Sequence, residues 1–495
     1  MEPLYTAAQV RELDRIAIEE AGIPGLTLMR RAGAAVFREV RARMPEEGRL
    51  LVLCGAGNNA GDGYVVARLA KQAGMQVEVV TPADPGRLKG DARQAFEDAR
   101  AAGVRPLRFE SSELPEAAVV VDALLGTGLE RPVEGAWRML IELANALPAA
   151  RIAVDIPSGL DADRGVVLGV AFRADVTVTF IGRKLGLFTG EAADHVGEVV
   201  FDDLGVPEAV HEQVPPTAWR MIREDITTLL PARPRTLHKG QAGHVLVVGG
   251  QPGMSGAPRL AGEAAARVGA GLASLAVHPE RAATTGIDRP ELMVHAVDGA
   301  VALAPLAGRA DVLAVGPGLG RSDWSRALFE AVLEHPKALV LDADALNLLA
   351  GSPRRRDDWI LTPHPGEVAR LLGCDAATVQ ADRPAAVRAL REKFGGVVVL
   401  KGPGTLIHDG HLLLVTDTGN PGMASGGMGD VLTGVIAGLL AQGLPPLEAA
   451  AAGAWLHGAA ADRAAGQGGE RGLLARDLMP HLRALVNPRQ SINVI

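Results

Sequence analysis

Asn420-Pro-Gly-Met-Ala-Ser-Gly-Gly-Met-Gly-Asp-Val-Leu-Thr-Gly434 is the stretch around which this 495-residue chain is best read. Glycines crowd its front half. Asp430 then opens an apolar run, Val431, Leu432, Val435, Ile436, Leu439 and Leu440, with the spacing of one helix face. A glycine loop meeting a helix N-terminus offers free backbone N–H groups and the positive end of aligned peptide dipoles, and both favour an anion. Glycines also let the backbone curl around phosphate oxygens with no side chain in the way. A carboxylate at that mouth would repel a resting phosphate, so its expected task is to take a proton from a hydroxyl that attacks the phosphorus. The alternative is a glycine-rich turn in which Asp430 only caps a buried helix.

Working outward, the second half alternates strand and helix. Apolar runs predict strands at His244–Val248, Val312–Val315, Ala338–Leu341 and Val397–Leu400, with helices over 257–269, 323–333, 384–394, 429–441 and 446–464. Each strand ends in residues suited to ligands: Gly249-Gly250, Gly316-Pro-Gly-Leu-Gly320, Asp342-Ala-Asp344 and Lys401-Gly402-Pro403-Gly404-Thr405. In the last of these Lys401 offers charge, and Gly402 and Gly404 allow close backbone approach to a nucleotide; a strand-to-strand turn has the same composition. Thr362-Pro-His-Pro-Gly-Glu367 supplies His364, either a substrate contact or a capping histidine, and Glu367, which suits a metal-bound water.

Residues 208–225 lose periodicity and carry Pro215-Pro216, which predicts a linker over 211–225 between domains at 1–210 and 226–495. The first half begins with two helices within 6–43, broken at Gly22-Ile-Pro-Gly25. It then alternates: strands at 50–54, 77–80, 119–122, 152–155, 175–180 and 198–201, with helices near 64–74 and 89–102. Gly55-Ala-Gly-Asn-Asn-Ala-Gly-Asp-Gly63, Gly126-Thr-Gly128 and Ile156-Pro-Ser-Gly159 follow three of these strands, and open parallel sheets bind ligands at that end.

Composition narrows the function classes. The chain is 48% hydrophobic, enough for two sizeable cores. A net charge of −8, 3% aromatic residues and no basic run argue against nucleic-acid binding. Cys54 and Cys374 lie far apart without Cys-x-x-Cys spacing, so neither a disulfide framework nor a cysteine zinc site fits and a reducing compartment is expected. The first residues lack a basic region followed by an apolar core, and no uncharged apolar run approaches membrane-spanning length. The expectation is a soluble, cytoplasmic α/β protein whose partners are a small-molecule substrate and further copies of itself, with neither nucleic acid nor membrane.

Gly-Gly-x-Gly-Asp before a helix resembles the ribokinase-like family, whose acid activates an acceptor hydroxyl. His238-Lys-Gly240, Ser255-Gly-Ala-Pro258, Ala270-Gly-Leu272, Gly316–Gly320, Asp342-Ala-Asp-Ala-Leu-Asn347 and the stretches at 362–367 and 401–405 narrow this further. Together they resemble the ADP/ATP-dependent NAD(P)H-hydrate dehydratases over nearly all of 226–490. That resemblance implies a ribokinase-like α/β sandwich using ADP or ATP with Mg2+. It implies substrate contacts at Ala257, Gly320, His364 and Asp430, the last catalytic, and nucleotide contacts at Lys401, Gly402, Pro403, Gly404, Thr405 and Gly429. Met428 stands where the family has a small Thr or Ser, so the turn is expected to use its N–H and no hydroxyl.

Gly57-Asn-Asn-Ala-Gly-Asp-Gly63, Asp122-Ala-Leu-Leu-Gly-Thr-Gly128 and Asp155-Ile-Pro-Ser-Gly159 resemble the NAD(P)H-hydrate epimerases, which are often fused ahead of the dehydratase. The implied fold is a Rossmann-like three-layer sandwich. The implied substrate contacts are Asn58, Asn59, Ala60, Gly61 and Asp62, then Gly126, Thr127, Gly128, Leu129, Glu130, Arg131 and Pro132, and Asp155, which is also the acid/base group. A potassium ion is implied between Asn59, Asp122 and Ser158, and Lys184 reads as a solvated loop charge ahead of a phosphate contact. The expected function is epimerisation of R- and S-hydrates of NADH and NADPH (NADHX and NADPHX), followed by dehydration of the S-hydrate as ADP yields AMP and phosphate. A small-molecule kinase with a regulatory first domain, or a non-catalytic first domain, are the rival readings.

Overall fold

A computed structural model describes residues 1–110 and 113–487. Two compact units emerge, one of residues 3–218 and one from Trp219 onward that also includes Met1 and Glu2. The division falls inside the expected linker, and that segment is not irregular: Ala218–Arg220 is a strand and Arg223–Leu229 a helix.

The first unit is built on seven parallel strands, Arg49–Cys54, Gln76–Thr81, Pro106–Arg108, Val119–Ala123, Ala150–Val154, Val176–Phe180 and Glu198–Asp202. Numbered by position in the chain, they lie in the order 3-2-1-4-5-6-7 across the sheet. Period-two alternation sends Leu50, Val52 and Cys54 to one face and Leu51 and Leu53 to the other. Helices Ala7–Glu19, Gly25–Arg43, Asn58–Gln72 and Gly90–Ala101 cover the first face, and Gly135–Ala146 packs on the second, giving three layers. The strand order reverses between Arg49–Cys54 and Val119–Ala123, so the loops after these strands part and leave a crevice. The loops meet backbone to backbone just below it. A Cβ on Gly55 would stand 1.8 Å from the Leu124 carbonyl oxygen, so only glycine fits there.

The second unit has ten strands. By position in the chain their order is 4-3-2-5-6-7-8-9-10-1, from the edge strand Met293–Ala296 to Ala218–Arg220. Pairing is parallel except where Val397–Leu400, Thr405–His408 and Leu413–Thr416 form an antiparallel meander. The residues 401–405 are therefore a strand-to-strand turn as well as a ligand candidate. Val245, Val247, Ala314 and Val340 face a core shared with helices Gly256–Arg267, Met428–Ala441 and Pro446–Gly468. The order reverses between His244–Val248 and Val312–Val315, which puts the loops at 249–255 and 316–320 at the switch point. Strands Leu272–Val277 and Trp359–Leu361 were not expected: the first is half alanine and serine, the second only three residues long. Among the described residues no helix is long and apolar enough to cross a membrane.

Helix Met428–Ala441 is seated by glycine. A Cβ on Gly434 would lie 2.0 Å from the Ala261 carbonyl oxygen, and one on Gly438 would lie 2.8 Å from that of Ala265. The helix thus rests directly on the backbone of Gly256–Arg267. Gly434→Val is expected to destabilise the second unit by about 3 kcal/mol through overpacking and to lower its activity by displacing the preceding turn. Urea unfolding and activity assays on the variant check both.

Candidate active sites

In the second unit, Gly427 caps helix Met428–Ala441 with a φ of 92°, and Asp430 sits in the first turn. Neither a hydrogen bond nor an ion pair engages the Asp430 carboxyl among the described residues. Burial pushes its pKa up to about 7, and Asp342 adds to the rise while Lys401 opposes it. Asp342 is fully buried at the end of Ala338–Leu341. Its Oδ1 lies 2.6 Å from Lys401 Nζ, and its Oδ2 accepts from Thr433 Oγ1 at 2.9 Å. Burial works against the Asp342 charge, but Lys401 and these hydrogen bonds outweigh it and hold the carboxyl below its ordinary range. Two acids in one site are thereby separated in character, one ionised and one near neutrality.

Gly429 packs against that ion pair: a Cβ there would be 3.5 Å from Lys401 Nζ and 3.4 Å from Asp342 Oδ2. The Lys401 ammonium, expected to face a nucleotide, is turned inward to Asp342 and lies 3.8 Å from Glu367. His364 caps helix Pro365–Leu372: its Nδ1 accepts from Gly366 N at 3.0 Å, and its own N–H donates to Glu367 Oε2 at 2.8 Å. The capping alternative is therefore realised, and the side chain stays more than half exposed. Burial first, then Lys401, lowers the His364 pKa. Burial lifts Glu367 to about 7.

Asp344 links the remaining substrate candidates, because its Oδ2 accepts from Gly320 N at 2.8 Å. Ala257 lies beside that loop, 3.3 Å from where a Gly318 Cβ would be. The turn from Gly402 to Thr405 has its carbonyls drawn inward by Arg383, which is fully buried. Arg383 donates at 3.3 Å to each of the Leu400, Lys401 and Gly404 carbonyl oxygens.

The first unit holds a cavity of about 890 Å3 at its switch point. Asn58, Asn59, Asp62, Gly126, Thr127, Gly128, Leu129, Glu130, Arg131 and Asp155 all line it. Ala60, Gly61 and Pro132 do not. Ala60 is buried in the core, and a Cβ on Gly61 would meet Met29 Sδ at 2.6 Å, so both serve packing. Asp122 is buried; its oxygens accept from Ser158 N and Ser158 Oγ, each at 2.7 Å, and burial lifts its pKa to about 6. The Leu125 carbonyl oxygen lies 3.2 Å from Ser158 Oγ and accepts from Asn59 Nδ2 at 3.1 Å.

Residues 25–186 match the family described as YjeF-related protein N-terminus, and residues 245–483 match that described as NAD(P)H-hydrate dehydratase. A bifunctional NAD(P)H-hydrate repair enzyme of Coxiella burnetii is 50% identical over 489 residues, covering 99% of this chain and 100% of that relative. One of Escherichia coli is 44% identical over 488 residues, covering 98% and 94%. The chain belongs to the bifunctional NAD(P)H-hydrate repair enzymes. It is an enzyme with two activities, an isomerase and a lyase. The solved structure of a ribokinase-like superfamily protein from Enterococcus faecalis is also similar, with a TM-score of 0.52 and 28% identity over 55% of this chain and 95% of that one.

For this repair enzyme one expectation is overturned. Lys184 is not a solvated loop charge: it is fully buried, ion-paired to Asp155, and 3.1 Å from Thr179 Oγ1. The short strand Arg183–Lys184, paired in parallel with Glu2–Tyr5, draws it inward. Asp155 meets it from a backbone φ of 67°, a left-handed conformation that Asp tolerates better than most residues. Asp14 and Arg383 were not anticipated at all. An acid on the apolar stripe of Ala7–Glu19 was the available signal for Asp14. Arg383 gives none, since, apart from the Gln380 side chain, its partners named above are carbonyls far along the chain. Arg383→Met strands those carbonyls and is expected to cost about 3 kcal/mol. It should also weaken nucleotide affinity; urea unfolding and equilibrium nucleotide titration measure the two effects.

Proposed function

We propose that the two units act in sequence on hydrated nicotinamide dinucleotide. The first interconverts the R and S hydrates of NADH and NADPH, and the second dehydrates the S-hydrate with conversion of ADP to AMP and phosphate, or with ATP in its place. The observation that carries the second step is the unpartnered Asp430 carboxyl at a helix N-terminus, beside an ion pair that keeps Asp342 charged. Hydroxide leaves a ring carbon poorly and phosphate leaves it readily. Asp430 takes the proton from the substrate hydroxyl as that oxygen attacks the phosphoryl group. The N–H groups of Gly427, Met428 and Gly429 face the transferred phosphoryl, so the Met428 side chain is dispensable to the hole. The turn from Lys401 to Thr405 receives the nucleotide, and Ala257, Gly320 and His364 receive the hydrate.

Glu367 fits a contact to Mg2+ through water: its buried carboxyl is held near neutrality at about 7, and a divalent cation would favour its charged form. Bound there, the ion would neutralise phosphate charge. In the first unit, buried Asp122 has only uncharged donors around it, and with Ser158, Asn59 and the Leu125 carbonyl oxygen it forms an oxygen-rich set that suits K+. The ion would fix the loops that shape the cavity. Asp155, oriented by Lys184, serves as acid/base group for epimerisation.

Asp430 must be ionised to accept a proton, so turnover of S-hydrate should rise between roughly pH 6 and 8, with a midpoint near the Asp430 value of about 7. Asp430→Asn should lower kcat by about 10²–10⁴ while nucleotide still binds. Recovery of NADH absorbance gives the rate, and full-speed recovery by the variant would refute the assignment. Asp155→Ala in the full chain should leave S-hydrate consumption intact and slow R-hydrate consumption to its uncatalysed rate. Equal use of both epimers by that variant would remove the epimerase role of the first unit.

A further inference from the structure

Of the carboxyls on the wall of the first cavity outside the Asp155–Lys184 pair, Asp91 and Glu130 are exposed and Asp14 and Asp62 are partly buried. Asp62 follows the first strand, within the expected substrate loop. Asp14 comes from a different element, helix Ala7–Glu19, one helical turn from Val10 and Ile18, which also line the cavity. Val10, Leu13 and Ala17 on that helix are buried core residues, so a carboxyl among them is out of keeping with a structural role. Asp14 is partly buried, and among the described residues it has neither a hydrogen bond nor an ion pair. Its helix is held at the start by a Thr6–Gln9 capping box and by the Ala7 N–H donating to Asp163 Oδ1 at 2.6 Å. The unpartnered carboxyl therefore rests on a fixed support.

Resting on the epimerase reading, the chemistry of the substrate defines what is missing. Water adds to an enamine at the carbon attached to nitrogen, so the centre to be inverted carries both the ring nitrogen and the hydroxyl. We infer that Asp14 is the second proton-transferring residue of this site, donating to the hydroxyl that leaves one face of that carbon while Asp155 accepts from the water that adds to the other. The C–O bond breaks with its electron pair on the departing water, and the nitrogen lone pair forms C=N. A water then forms the new C–O bond and gives a proton to Asp155. In the reverse direction the two carboxyls exchange roles; between forward turnovers Asp155 gives its proton to solvent water and Asp14 regains one from it, which resets the site. The ring is cationic between the two steps. Asp14, Asp62 and Asp155 gather beside it against the one buried cation, Lys184, while Arg11 and Arg131 on the same wall are exposed. Burial first, and then Asp155, raises the proton affinity of Asp14, the direction a proton donor needs.

The test uses the full chain without nucleotide, so that only epimerisation is seen, with purified R-hydrate and chromatographic separation of the epimers. Asp14→Asn should lower kcat by about 10²-fold with KM changed less than about threefold, and Asp14→Glu should recover part of the loss. Turnover of Asp14→Asn equal to wild type, or a loss confined to KM, would overturn the role. Oxygen-18 water gives a readout on the wild type that does not depend on the folding of a variant. One labelled oxygen per inversion is expected, and inversion without label would also overturn the proposal. A wild-type chain that leaves R-hydrate at its uncatalysed rate would instead remove the epimerase reading itself.

Discussion

The buried pair of Asp342 and Lys401 is the contact on which the second site depends. It joins the end of a central strand to the first residue of the turn proposed to receive nucleotide, and through Thr433 it reaches the helix that carries Asp430. Removing either partner would leave an uncompensated charge in the interior, a loss larger than that of any surface pair. The pair also sets the chemistry. Because Lys401 is committed to Asp342, it cannot hold Asp430 fully ionised, and Asp430 is left to burial and to the repulsion of its neighbour.

The first site uses the same economy on a different frame. One fully buried lysine serves a group of carboxyls and is bound to only one of them, Asp155. Asp14 and Asp62 are left to burial and to the repulsion of Asp155, which raise their pKa values. In both units the surplus of acid over base raises the proton affinity of carboxyls at the site. The frames differ in how they gather these groups. In the first they come from two helices and a strand end; in the second they follow the strands and helices of a single sheet.

Much of this was legible in the sequence because strand ends are local. The loops after Cys54, Ala123 and Val154 announce themselves by glycine and asparagine beside apolar runs, and the parallel sheet brings them together without further instruction. Less legible was anything set by a partner distant in sequence. Lys184 looks like any loop lysine until its strand is paired with Glu2–Tyr5, and Lys401 looks free until Asp342 is placed beside it. Arg383 is the extreme case: its value lies wholly in which carbonyls surround it. Strands such as Leu272–Val277 escaped because alanine and serine are neutral in propensity, and burial in the sheet decides for them.

Helix Met428–Ala441 lies backbone on backbone against its neighbour, with glycine at each contact, and so has no slack in which to slide. Its carboxyl is presented at a single point in space. A hydroxyl of one configuration at the hydrated carbon can meet that point; that of the other epimer projects elsewhere, and the mounting cannot yield to follow it. A dehydratase so mounted leaves one of the two epimers unused, which gives a mechanical reason for joining it to an isomerase in one polypeptide.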